Sequence, residues 1–288
     1  MHRWAKFGPV LDDPVHRVHR TTRTASSTSQ MVTTCTPGQP GTPGQPGQPG
    51  QPGTPGWTGQ DGVDGRQGGG SGRPHSAPPA ALGYAGGMQR YRPGTALIVV
   101  DVQNDFADGA GGLSVASGDA IIPTINGEII MALNNGAIVV ATQDWHPSAT
   151  PHFATDGGIW PVHCVGDTWG AELHPDLRVP DDAARVRKGV NGEDGYSGFT
   201  TRDPETGATA PTELEGLLRD AAIERVVVVG LATDYCVKAT ALDAVRLGFD
   251  TAILTDAMAT VDLEPGDGAR AIDEMVAAGV TTWRSVMR

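Results

Sequence analysis

An acid, a lysine and a thiol each follow an apolar run in this chain. Asp101 follows ALIVV at 96–100. Lys188 follows the weaker run Ala184–Arg187. Cys236 comes after VVVV at 226–229 and a loop opened by Gly230. Singly, each has an ordinary explanation: an aspartate can cap a turn, a lysine is usually solvated, and a free cysteine is usually a small buried hydrophobe. That last reading suits Cys164 and Cys35. Cys236 is different, because its position predicts the first turn of a helix. A helix N-terminus lowers a thiol pKa and offers unpaired N–H groups to a developing oxyanion. If the three groups share one rim, Asp101 can accept the thiol proton, Lys188 can hold the two anions, and Cys236 can attack. That is the logic of an activated nucleophile.

A second set lies between these. Asp144 and His146 are alternate residues, so an extended segment points them the same way. His152 and His163 follow within twenty residues. One loop histidine is ordinarily solvated. A carboxylate and three imidazoles at one strand end form a plausible site for a divalent ion.

Several elements must place these residues. The continuous apolar runs Ala96–Val100, Ala137–Ala141 and Val226–Val229 predict strands buried on both faces. Thr251–Leu254 and Thr281–Arg284 predict two more, and Ala184–Arg187 a weaker one. Helices are predicted over Gly118–Asn135, where Ile121, Ile122, Ile125, Ile129 and Leu133 recur at helical spacing, and over Thr212–Ala222, Cys236–Leu247 and Ala269–Ala278. Strands alternating with helices predict an α/β fold of three αβα layers around a mostly parallel sheet. Ligands in such folds bind at the carboxyl ends of strands, where the candidate residues fall.

The sequence divides near residue 90. Residues 1–87 carry a charge balance of +3 and residues 88–288 one of −15. So acidic a globular part does not suit nucleic acid, which needs clustered Lys and Arg. Residues 1–90 read as a disordered Gly/Pro-rich tail. Within it glycine occupies every third position from Gly38 to Gly68, a collagen-like Gly-X-Y pattern. Met88 offers an alternative start. The globular region is 91–288. Three cysteines do not make a disulfide framework, no stretch is apolar enough to span a membrane, and the basic amino terminus lacks the apolar core of a secretory signal. The expected compartment is the cytoplasm.

From Ala96 onward the sequence resembles the nicotinamidase/pyrazinamidase branch of the isochorismatase-like hydrolases. The resemblance is carried by ALIVVDVQNDF, VVATQDWHP, WPVHCV, Lys188-Gly189 with Gly195–Phe199, and VVVGLATDYCVKATALDA. It implies the triad Asp101, Lys188 and Cys236, with Asp144, His146 and His163 as ligands of one divalent metal ion, zinc, iron or manganese. His152 matches a further ligand found in some members. It also implies a cis peptide at Leu231–Ala232, an oxyanion hole from the N–H groups of Ala232 and Cys236, and ring-stacking walls from Phe106 and Trp160. The implied reaction is hydrolysis of nicotinamide to nicotinate and ammonia through a thioester, serving NAD salvage. An amidase of the same superfamily acting on a carbamoyl compound would share the triad without needing the metal residues.

Overall fold

The computed structural model describes residues 90–285. The expected tail and its Gly-X-Y repeat lie outside the described residues. The first element is β1, Thr95–Val100, every residue of which is buried. Burial on both faces is what a parallel central strand requires. In chain order follow α1 (Asn104–Ala107), α2 (Ile122–Asn134), β2 (Ile138–Asp144), β3 (Ala184–Lys188), β4 (Thr200–Arg202), β5 (Thr209–Pro211), α3 (Leu214–Asp220), β6 (Arg225–Leu231), α4 (Lys238–Arg246), β7 (Asp250–Ala259), α5 (Asp267–Ala277) and β8 (Thr281–Trp283). Six strands form one parallel sheet in the order β3-β2-β1-β6-β7-β8, and β4 pairs with β5 in a separate antiparallel hairpin.

Alternation along β1 makes the layers. Leu97 and Val99 join a core with Ile125 and Ile129 of α2. Ala96, Ile98 and Val100 join the opposite core with Leu214 and Leu218 of α3, Ala241 of α4 and Met275 of α5. The sheet is thus covered on both faces, as the sequence predicted. Among the described residues, no helix is long and apolar enough to cross a membrane.

The structure corrects several boundaries. The helix expected from Gly118 starts at Ile122, with Pro123 in its first turn. Proline belongs there because its fixed φ suits a helix start and its missing N–H costs nothing. Leu133, expected to face the core, is largely exposed on the last turn. The helix expected from Cys236 begins earlier, with a wide π-helical turn over Thr233–Val237 that runs into α4. The β4–β5 hairpin had no signal, because its strands are three residues each and largely exposed.

Candidate active site

Register brings the candidate residues to one rim. Asp144 and Lys188 are direct neighbours across β2 and β3. Val100 pairs with Thr142 on one side and with Gly230 on the other. Asp101 therefore leaves β1 at the level where β6 turns toward Cys236. Lys188 is 1% exposed. Its Nζ lies 2.7 Å from Asp101 Oδ2 and 3.9 Å from Cys236 Sγ, and it also contacts Asp144 Oδ1 and the Gly195 carbonyl. One buried ammonium thus touches both acids and the thiol. One carboxylate oxygen each of Asp101 and Asp144 and the sulfur of Cys236 lie within 4.8 Å of one another. Thr142 Oγ1 donates to Asp101 Oδ1 at 2.6 Å.

These contacts set the charges. Burial pushes the Asp101 carboxyl up to about 6, outweighing Lys188 and the Thr142 hydrogen bond, which pull it down. Desolvation therefore outweighs the neighbouring ammonium, yet Asp101 stays ionised at neutral pH. Burial works against the Lys188 ammonium, but Asp101 and Asp144 raise its pKa well above the usual lysine range. Burial also pushes the Cys236 thiol well up. Lys188 opposes that, while Asp101 and Asp144 reinforce it. A thiol lowered by the helix start is thus not what the structure shows: the resting group is a neutral thiol beside a carboxylate. Burial likewise raises the Cys164 thiol, in keeping with a structural role.

Beside this floor, one ring nitrogen from each of His146, His152 and His163 falls within 4.8 Å of the others, and all three residues are buried. His163 Nδ1 lies 2.7 Å from the Pro161 carbonyl, and His152 Nδ1 lies 2.7 Å from Asp194 Oδ1. Partners of this kind hold Nδ1–H and leave Nε2 as the free lone pair. Burial lowers the His163 pKa to about 4, so its ring is neutral. Both ring nitrogens of His146 are buried without a hydrogen-bond partner. Asp144 Oδ2 sits 3.9 Å from Nε2 of both His146 and His163. Although burial pushes the other way, Lys188 and these histidines hold Asp144 well below the usual carboxylate range. A neutral His163 imidazole, two further buried histidine rings, one of them without a hydrogen-bond partner, and an ionised carboxylate fit a divalent cation. Gly189 permits the packing. Its φ is +76°, and a Cβ there would meet the His146 ring at 2.5 Å.

The turn carrying Cys236 is held as closely. Gly230 has φ +113°, and a Cβ on it would lie 2.1 Å from the Val100 carbonyl oxygen. Only glycine lets β6 end against β1 in this way. The expected cis peptide at Leu231–Ala232 is present. Above Cys236 opens a cleft lined by Phe106, Leu113, Trp160, Tyr196, Tyr235 and Val261 among others. That aromatic and apolar lining suits a small planar ligand. Trp160 Nε1 donates to Tyr196 Oη at 2.8 Å, and the Trp160 and Tyr235 rings meet edge to face at 5.1 Å.

The match to known proteins decides the kinship. The isochorismatase domain family model matches residues 95–285. The chain belongs to the isochorismatase family, in its nicotinamidase branch. It is 41% identical to the nicotinamidase of Escherichia coli over 207 residues, covering 66% of this chain and 95% of that one. Among solved structures it is similar to the pyrazinamidase of Pyrococcus horikoshii in complex with zinc, at 42% identity and a TM-score of 0.60, covering 67% of this chain and 99% of that one. It is also similar to the PnC1 protein of L. infantum in complex with nicotinate, at 36% identity and a TM-score of 0.61, covering 69% of this chain and 97% of that one.

All the candidate residues named from this family's pattern meet at the rim. Sequence reasoning missed the residues that hold them. Gln103 clasps the Asp144 backbone, accepting from its N–H at 2.8 Å and donating to its carbonyl at 2.7 Å. Asp105 accepts from the N–H of Gly112 at 2.8 Å and from that of Cys164, beside His163, at 2.6 Å. Gln103 and Asp105 flank Asn104 in the DVQNDF segment, so their motif was visible and their role was not. Asp194, which supports His152, sits in a loop with no comparable signal.

Proposed function

We propose that this chain hydrolyses nicotinamide to nicotinate and ammonia, and pyrazinamide likewise, through a thioester on Cys236. The observation that carries the reading is the Lys188 ammonium, buried in contact with Asp101, Asp144 and Cys236 at the floor of an aromatic-lined cleft. The kinship with nicotinamidases and the nicotinate bound in a similar structure support the substrate.

The residues suggest the sequence of events. Phe106 and Trp160 hold the ring in the cleft. Asp101, ionised above about pH 6, takes the proton of the Cys236 thiol as sulfur attacks the amide carbonyl. The proton moves with the attack, because burial keeps the resting thiol neutral. Negative charge passes to the carbonyl oxygen, which the N–H groups of Ala232 and Cys236 receive. Lys188 keeps Asp101 and the sulfur charge-balanced throughout. Asp101 returns the proton to the leaving nitrogen, and ammonia departs as the C–N bond breaks. A water molecule, deprotonated by Asp101, then attacks the thioester, releasing nicotinate and restoring the thiol.

Asp144, His146 and His163, with His152, would hold a divalent ion. When bound, such an ion supplies a Lewis acid that orients a ring donor and lowers the pKa of water. Zinc, iron and manganese all suit this donor set. Such a reaction would serve NAD salvage, and the cytoplasm is the compartment we propose for it. The test is ammonia release from nicotinamide and from a few aliphatic amides, with metal content measured on the same sample. Turnover of nicotinamide with about one ion per chain is expected. Turnover confined to aliphatic or carbamoyl amides would refute the reading.

A further inference from the structure

Asp234 lies two residues before the nucleophile and is buried on the π-helical turn, yet the mechanism above gives it no part. Its carboxylate reaches another loop. Oδ1 accepts from the Val261 N–H at 3.0 Å and Oδ2 from the Asp262 N–H at 2.9 Å. Those two residues belong to the segment after β7. Asp262 has φ +52°, in the left-handed region that few residues other than glycine, asparagine and aspartate adopt. The Asp262 side chain continues the chain of bonds, accepting from the Gly268 N–H at 2.9 Å in the first turn of α5. Val261 itself lines the cleft, together with Tyr235 and Cys236 of the turn that carries Asp234.

We propose that Asp234 is a positioning residue that sets the Val261 wall of the cleft against the nucleophile turn, and so governs how tightly a planar ring is held. The inference rests on the proposed function. Without Asp234 the two N–H groups lose their acceptors, and Asp262 keeps only its bond to the Gly268 N–H. The wall can then retreat while the floor of Asp101, Lys188 and Cys236 stays in place. The wall would act mainly on binding, because Asp234 touches none of the reacting groups. The turn and the wall then form one unit, in which attack geometry and ring fit are set together.

The test is steady-state kinetics with nicotinamide on the full chain, its Asp234→Asn variant and its Val261→Ala variant. Asparagine keeps the shape but offers one acceptor oxygen to two N–H donors. We expect KM to rise roughly tenfold in each variant, the scale of one or two methylene contacts in a pocket, with kcat reduced much less. The double variant should be hardly worse than either single one, because both act on one wall. An unchanged KM in Val261→Ala, or a fall in kcat at constant KM in Asp234→Asn, would overturn the proposal. So would losses that multiply in the double variant. If Asp234→Asn does not fold, Val261→Ala still decides the matter by its KM. Failure of the unmodified chain to release ammonia from nicotinamide would refute the proposed function instead, which keeps the two outcomes apart.

Discussion

Asp101 carries two opposing influences that kinetics can separate. Burial raises its pKa to about 6, while Lys188 and Thr142 pull it down. As general base it must be ionised, so activity should be full above that pH and fall as the pH drops through it. Lys188→Met removes the ammonium and keeps much of the volume. The acidic limb of the pH–rate profile should then move to higher pH, and turnover should fall by at least roughly 10²-fold, the lower range for a positioned acid–base group. Thr142→Val removes only the hydrogen bond and should move the limb in the same direction by less. A limb that stays near 6 in both variants would show that another group sets it. Sequence made Asp101, Lys188 and Cys236 visible as types, because chemistry-bearing side chains follow apolar runs. It could not show which influence on Asp101 prevails, since that depends on how completely the rim excludes water. Nor could it show that burial overrides the helix start at Cys236.

The elements were legible where burial is two-sided. The runs Ala96–Val100 in β1 and Val226–Val229 in β6 are apolar without a break, as strands covered on both faces require. The hairpin β4–β5 was not legible, because short exposed strands have no periodicity to read. Yet that hairpin supports the histidine cluster. Arg202 pairs with Asp194 at 3.1 Å, and Asp194 holds His152 Nδ1. Asp194→Ala should weaken metal binding by about 10–100-fold, the usual effect of removing a ligand's supporting carboxylate. Competition with a chromophoric chelator measures this, and an affinity within twofold of the unmodified chain would dismiss the support. The strand junction is sharper still. Gly230→Ala sets a methyl 2.1 Å from the Val100 carbonyl oxygen at φ +113°. Strain and overpacking together should cost about 3 kcal/mol or more, read as a lowered midpoint in urea unfolding. A loss below about 1 kcal/mol is too small for such a clash and would contradict the register of β1 and β6.

At the scale of the whole molecule, the family match over 95–285 leaves out a buried anchor just upstream. Glu128 on α2 is fully buried, and it is paired by Arg90 at 2.9 Å and by the Tyr91 hydroxyl at 2.9 Å. Arg90 also bonds the Arg284 carbonyl and lies over the Trp283 ring, joining both ends of the described chain. A chain starting at Met88 keeps this anchor and should match the full chain in stability and turnover. A chain starting at Gly94 leaves Glu128 buried without Arg90 and Tyr91 and should lose about 3–5 kcal/mol, measured by chemical denaturation. Equal stability of the two would dismiss the anchor. Sequence suggested Met88 as a start but gave no reason for Arg90 and Tyr91, because their partner lies far along the chain. Whether Cys236 carries the acyl group is read most directly by rapid acid quench of the enzyme turning over nicotinamide, followed by peptide mass analysis. A nicotinoyl group on the Cys236 peptide, absent in Cys236→Ala together with nearly all turnover, is the predicted result. A Cys236→Ala variant that keeps a substantial share of its turnover, with no adduct in the unmodified chain, would contradict it.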